Sequence, residues 1–301
     1  MVILQNSRLP SLLQYVGWQL ASLFIWDVFV VIMYTLYADD IGVRLPALPV
    51  TLFGSALVLF LSLRNNAAYA RWWEARTLWG AVVNSSRSFA REALTLIADT
   101  PESRELRRTL VIRQIAYASA LRLHLLKKRS PDMLANIDGL DIEEQRHLTA
   151  HTNVPNAILT RHGQDVSEAW RAGWMNRFDR VRLESTMVDL SNAQGGLERI
   201  CNTPLPKQYA QYPKLFVSAF CVIMPLGLVD SLGIYTPLAS TLVGFMLMTM
   251  EKMGHDLQDP FSNNVHDVPM ASICRTIQID LLESIGDRAP SPAKSVKGVL
   301  W

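Results

Sequence analysis

Charge is what this chain has little of. Asp, Glu, Lys and Arg make up 19% of its 301 residues, against about 25% in a soluble domain, while half of the residues are hydrophobic. The mean hydropathy of +0.14 shows that much of the chain is still suited to water. A net charge of +2 supplies no general attraction for nucleic acid, and none is expected as a partner. Cysteine is scarce too. Cys201, Cys221 and Cys274 are odd in number, far apart and never in a CxxC pair, which reads as three reduced, buried thiols in a cytoplasm-facing or membrane setting. Enzyme signatures are missing as well: no GxSxG, HExxH, P-loop or Rossmann glycine pattern occurs. No cofactor is expected. Alternating strand patterns, internal repeats and Gly-Ser linkers are also absent.

Long apolar runs are present. About 20 mainly apolar residues cross a bilayer core. Gly17 to Tyr37 meets this, with Asp27 its only ionisable side chain below the tyrosines. It is too long for a secretory h-region and lacks a small-residue cleavage site after it. Leu45 to Leu63 is a second span, with Pro46 and Pro49 in its first turns, where proline is tolerated. Between 215 and 250 only Asp230 is charged, enough length for two more spans, 209–229 and 233–250.

Basic residues near span ends set orientation. Residues 38–44 carry Asp39, Asp40 and a single Arg44, and the connection at Asp230 has no basic residue. Arg64, Arg71, Arg76, Arg87 and Arg91 follow the second span. Both hairpin tips are therefore expected outside, and both termini and residues 64–212 in the cytoplasm of a bacterial inner membrane protein.

The remainder reads as helix: 106–128, a helix starting at Asn153 and Pro155, and a run from about Val166 to Asn192 ending before Gly195 and Gly196. The Pro-, Ser- and Lys-rich stretch from 287 to 301 reads as a loosely held tail.

Three groups of residues invite a functional reading. His255, Asp256 and Asp259 in GHDLQDP could be drawn as a metal site, although a capping and turn role beside Pro260 explains them as well. Asp27 is an ionisable group within a span, hence a functional candidate, or a hydrogen-bonded carboxyl at a helix–helix contact. Ser55, Leu59 and Leu63 recur every four residues on one helical face, which continues toward Ala67 and Arg71. Nothing from Ser55 to Trp79 is Gly or Pro, so the helix has no reason to stop at the lipid boundary. A single copy of that face would be merely amphipathic. Several copies around an axis would stack apolar rings that gate by dewetting.

RNNAAYARWWEARTLWG at 64–80 resembles the segment after the second span in bestrophins. NVPNAIL at 153–159, GGLERICNTPLP at 195–206, the paired spans to Met250 and EKMGHDLQDPFSNNVHDVPM at 251–270 agree in order and spacing. The resemblance covers about residues 5 to 286. It implies an all-α membrane protein with four transmembrane helices per subunit and a helical cytoplasmic region, assembled as a homopentamer around one central pore. Residues 1–286 would form a single bestrophin domain. The residues that carry the motif are Arg64, Asn65, Asn66, Arg71, Trp72, Glu74, Glu198, Arg199, Asp259, Pro260 and Phe261, in structural roles.

By resemblance the function is an ion channel for small monovalent ions, chloride or other anions as in animal relatives, or cations as in some bacterial ones. Its partners would be further copies of itself, membrane lipid and the permeating ions. Counting back from Arg71 carries the family's pore neck onto Ser55, Leu59 and Leu63. Family necks usually present bulkier Ile or Phe at these levels, so Ser55 is a departure. Phe178 is the residue carried to the lower cytoplasmic aperture. Animal members hold calcium in an acidic cluster after Asn-Pro-Phe; here SNNVHDV leaves only Asp267 after Asp259. Calcium takes about six to eight oxygen ligands, so no tight site is expected. A non-conducting membrane scaffold and, less well supported, a membrane-embedded metal-dependent enzyme are the alternatives.

Overall fold

A computed structural model describes residues 9–41, 49–128, 140–295 and 298–300. The described residues are helical, with no β-strand among them. In chain order the helices are α1 (Leu9–Ile41), α2 (Val50–Leu96), α3 (Arg104–Leu125), α4 (Ile142–Thr149), α5 (Val154–Arg171), α6 (Arg177–Asn202), α7 (Lys207–Leu232), α8 (Thr236–Leu257) and α9 (Met270–Ser284), with a 3₁₀ turn at Gly233–Tyr235. The chain divides into two compact units, one holding 4–72 and 204–259, the other 73–203 and 260–301. Helix α2 contributes to both.

The first unit carries the apolar helices. Three stretches are long and apolar enough to cross a membrane, Tyr15–Tyr37, Val50–Leu96 and Lys207–Leu257. The third holds two helices, α7 and α8, which reverse at the 3₁₀ turn where Gly233 takes a positive φ of 49°. Such a backbone suits glycine because no Cβ opposes it. Helix α1 packs on α8 and α7. A core of Leu23, Leu57, Leu61, Val217, Cys221 and Leu247 joins all four helices. Gly244 is what lets α1 and α8 meet, since a Cβ there would run into Leu23.

In the second unit α3 is the central helix, packed against α5, α6 and α9. Consecutive residues from Leu110 to Ala118 are all buried, so α3 has neighbours on every side. Among them is Arg113, 1% exposed, whose guanidinium donates to Glu144 Oε1 at 2.5 Å and Asp165 Oδ2 at 2.6 Å. The carboxylates satisfy a charge that would otherwise be costly to bury.

Several sequence boundaries need correction. The helix of the second span is described from Val50, and the expected start at Leu45 lies outside the described residues; Pro49 precedes the helix, and its carbonyl accepts the Phe53 N–H at 3.0 Å. Pro46 lies outside the described residues. The run expected from Val166 to Asn192 is two helices, parted at residues 172–176 by Gly173 at φ 76° and restarted by a capping box between Asn176 and Asp179. Gly195 and Gly196 do not end α6, which continues to Asn202. Gly196 is there for packing: a Cβ would lie 2.8 Å from Leu78 Cδ1. Helix α5 starts as expected, with the Asn153 side chain accepting from Asn156 N–H and Pro155 in the first turn. The cysteines are all free thiols, but only Cys221 is buried; Cys201 and Cys274 are half-exposed.

Candidate functional site

Helix α2 runs unbroken for 47 residues, about 70 Å at 1.5 Å per residue. Within the membrane unit its two faces differ. Leu57 is 7% exposed, and Leu61, Arg64 and Ala68 are fully buried. On the other side Ser55 is exposed, with Leu59 at 63% and Leu63 at 58%. The three expected neck residues therefore share one open face, spaced by about one turn each. Ser55 donates its hydroxyl to the Leu52 carbonyl at 3.0 Å, so its oxygen is tied back to the helix.

The face does not lead on to Arg64. Its guanidinium lies on the buried side, donating to the Glu251 carbonyl at 2.7 Å, with the Glu251 carboxylate 4.0 Å away. Asn65 Nδ2 donates to the Met250 carbonyl at 2.9 Å, and Arg71 Nε to the Gln258 carbonyl at 2.8 Å. Arg64 and Asn65 thus bind main-chain carbonyls in the second half of α8, and Arg71 binds the carbonyl of Gln258, the residue that caps it. Gly254 makes room for them, because a Cβ there would collide with Asn65 Oδ1 and Arg64 Nη1. These acceptors and Gly254 escaped the sequence reading. The only available signal was a glycine, with no helix-forming merit, inside the EKMGHDLQ segment.

The other motif residues hold their own units together. Asn66 is exposed. Trp72 stacks on Tyr69 with ring centroids 6.3 Å apart. In the second unit Glu74 pairs with Arg199, while Glu198 accepts from Asn153 Nδ2 at 2.9 Å and Gln194 Nε2 at 2.8 Å. The ERI segment and the NVPNAIL cap are therefore in contact. The Pro260 carbonyl accepts the Val268 N–H at 3.3 Å, and Phe261 is 3% exposed. Asp267, 2% exposed, accepts the Asn264 N–H at 2.9 Å and so closes its own loop. Phe178, at the start of α6, is 82% exposed.

Asp27 is fully buried and accepts from the Ser240 and Thr241 hydroxyls of α8, each at 3.0 Å. That is the hydrogen-bonded helix–helix contact, with both donors on one neighbour. His255, Asp256 and Asp259 do not converge. His255 Nδ1 faces the Gln258 amide at 3.3 Å, and Asp256 accepts from the Tyr15 hydroxyl. Among the described residues no group of three His, Cys, Asp or Glu is arranged to hold a metal.

The sequence profile of the Bacterial/Fungal Bestrophin protein family matches residues 4–283. The voltage-dependent anion channel-forming protein YneE of Escherichia coli K12 is 34% identical over 284 residues, 94% of this chain and 91% of YneE. The voltage-dependent anion channel-forming protein mll4386 of Mesorhizobium japonicum is 30% identical over 289 residues, 96% of this chain and 89% of its own. The crystal structure of a bacterial bestrophin homologue from Klebsiella pneumoniae superposes with a TM-score of 0.82 at 26% identity, covering 90% of this chain and 98% of that one. The profile spans nearly the whole chain, and with it the RNN, ERI and DPF segments fall into place: this is an integral membrane protein of the bacterial/fungal bestrophin family, not an enzyme.

Proposed function

We propose that the chain assembles as a homopentamer around one central pore and passes small monovalent ions through a neck lined by Ser55, Leu59 and Leu63. The observation that carries this reading is the two-sided α2. Its Leu57–Leu61–Arg64 side is buried within the subunit, leaving Ser55, Leu59 and Leu63 on a largely apolar face that is exposed among the described residues. Five such faces around an axis would form rings that exclude water until the pore widens or wets. Residues 1–286 act as one domain with four membrane helices, both termini lying in the bacterial cytoplasm. Phe178, large and exposed at the start of α6, is the residue assigned to the cytoplasmic aperture.

Anions are the first reading of the permeating species, because relatives at 30–34% identity are named for anion channels. Cation passage is the second, favoured by the withdrawal of Arg64: a guanidinium with no solvent exposure adds no cationic ring below the neck. The decisive experiment is a planar-bilayer recording of purified protein under a potassium chloride gradient, with the subunit number measured in detergent. Current with a reversal potential near the chloride equilibrium value supports the first reading, and one near the potassium value the second. A monomer without current would leave a membrane scaffold as the better account.

A further inference from the structure

The membrane unit contains a cavity that the pore does not use. It lies between α1, α7 and α8 and has a volume of about 210 Å³, the room of roughly seven water molecules. Its polar lining is Gln19, Ser22, Lys214, Ser218 and Glu251, and Trp26 forms part of its apolar wall. Gln19 is near the start of α1, Lys214 near the start of α7 and Glu251 near the end of α8, so the polar groups gather at one end of the apolar helices. Trp18 at 84% exposure and Tyr209 and Tyr212, both over 40%, sit on the same helix ends. Aromatic side chains so placed mark the headgroup level of a bilayer.

Lys214 is exposed and, among the described residues, has no ion-pair partner. Basic pockets between membrane helices at this depth suit phospholipid headgroups. Glu251 narrows the choice. Its side chain keeps 14% exposure in the same lining, so a purely anionic headgroup would meet a carboxylate. A headgroup with a phosphate followed by an ammonium meets both charges. We propose that this cavity binds the phosphoethanolamine headgroup of a membrane aminophospholipid. Lys214 takes the phosphate, Ser22, Ser218 and Gln19 donate to its oxygens, and Glu251 accepts from the ammonium. The acyl chains continue over Val222, which lines the same cavity one step further into the membrane and is 48% exposed. The site does not depend on conduction.

Native mass spectrometry of the delipidated full-length protein, titrated with phosphatidylethanolamine or phosphatidylglycerol, tests this. Phosphatidylethanolamine should be retained in preference, and Lys214→Met should weaken that retention about tenfold, the scale of one charge-assisted hydrogen bond. Lys214→Arg should keep it, which separates lost binding from a misfolded variant. Glu251→Gln should abolish the preference over phosphatidylglycerol. Soluble phosphoethanolamine at the same concentration should fail to compete; full competition would overturn the lipid as the source of the headgroup. Equal retention of both lipids by the unaltered protein, or unchanged retention by Lys214→Met, would overturn the site.

Discussion

Arg64 of α2 donates to the main-chain carbonyl of Glu251 in α8 at 2.7 Å, and its side chain has no solvent exposure. A buried guanidinium held by a backbone acceptor serves the fold rather than the field in a pore. Arg64→Gln should therefore destabilise the protein by about 3 kcal/mol, the usual cost of removing one side of a buried charge network. In channels that still assemble, the reversal potential under a salt gradient should stay where it is. Thermal unfolding and bilayer recording measure the two halves. A shifted reversal potential with unaltered stability would place Arg64 in the pore.

The RNN and ERI segments were legible as motifs because their residue types and spacing are distinctive, and the shared face of Ser55, Leu59 and Leu63 was legible through its spacing of four. What these side chains bond to was not. Arg64 and Arg71 bind carbonyls about 187 residues away in sequence, and a carbonyl leaves no trace in residue identity. Gly195 and Gly196 misled for a related reason: a glycine pair reads as a helix stop, whereas Gly196 marks the approach of Leu78 within the fold. The break at 172–176 was missed because Gly173 is a lone glycine between two strongly helical runs.

The glycines give a contrast that can be measured. A Cβ at Gly254 would meet Asn65 and Arg64, both fixed by hydrogen bonds and unable to retreat. Gly254→Ala should cost about 1–3 kcal/mol or more through overpacking. Gly195, inside α6 with nothing within 4 Å of a built Cβ, should tolerate alanine and gain up to about 1 kcal/mol from helix propensity. Melting temperatures of the two variants should move in opposite directions.

His162 sets a pH dependence. It is fully buried in α5, neither ring nitrogen has a hydrogen-bond partner among the described residues, and its ring packs against Phe89 at a tilt of 56° with centroids 4.6 Å apart. Burial, and then the nearby Arg113 guanidinium, hold its pKa well below the ordinary value. The unfolded chain takes up a proton near pH 6.5 while the folded one does not, so this contribution is present above that pH and lost on acidification. The slope is at most about 1.4 kcal/mol per pH unit below roughly 6.5. Carboxylates add their own slope, so the test is a difference: the drop in melting temperature from pH 7.5 to pH 5.5 should be smaller in His162→Phe than in the unaltered protein.

The neck assignment rests on which side of α2 faces inward, and opposite sides of the helix should answer differently to the same substitution. Leu59→Ala and Leu63→Ala remove methyl groups from an exposed apolar face, so each should raise single-channel conductance by widening and wetting its ring while changing stability little. Leu61→Ala, two residues from either, removes a fully buried side chain from the cluster with Leu23, Val217 and Leu247. It should cost about 2–5 kcal/mol and leave the conductance of assembled channels near its original value. Ser55→Leu restores bulk at the level where this sequence departs from the family's neck, and should lower conductance. If Leu61→Ala opened the channel and Leu59→Ala did not, the buried side of α2 in the single subunit would be the side that lines the pore.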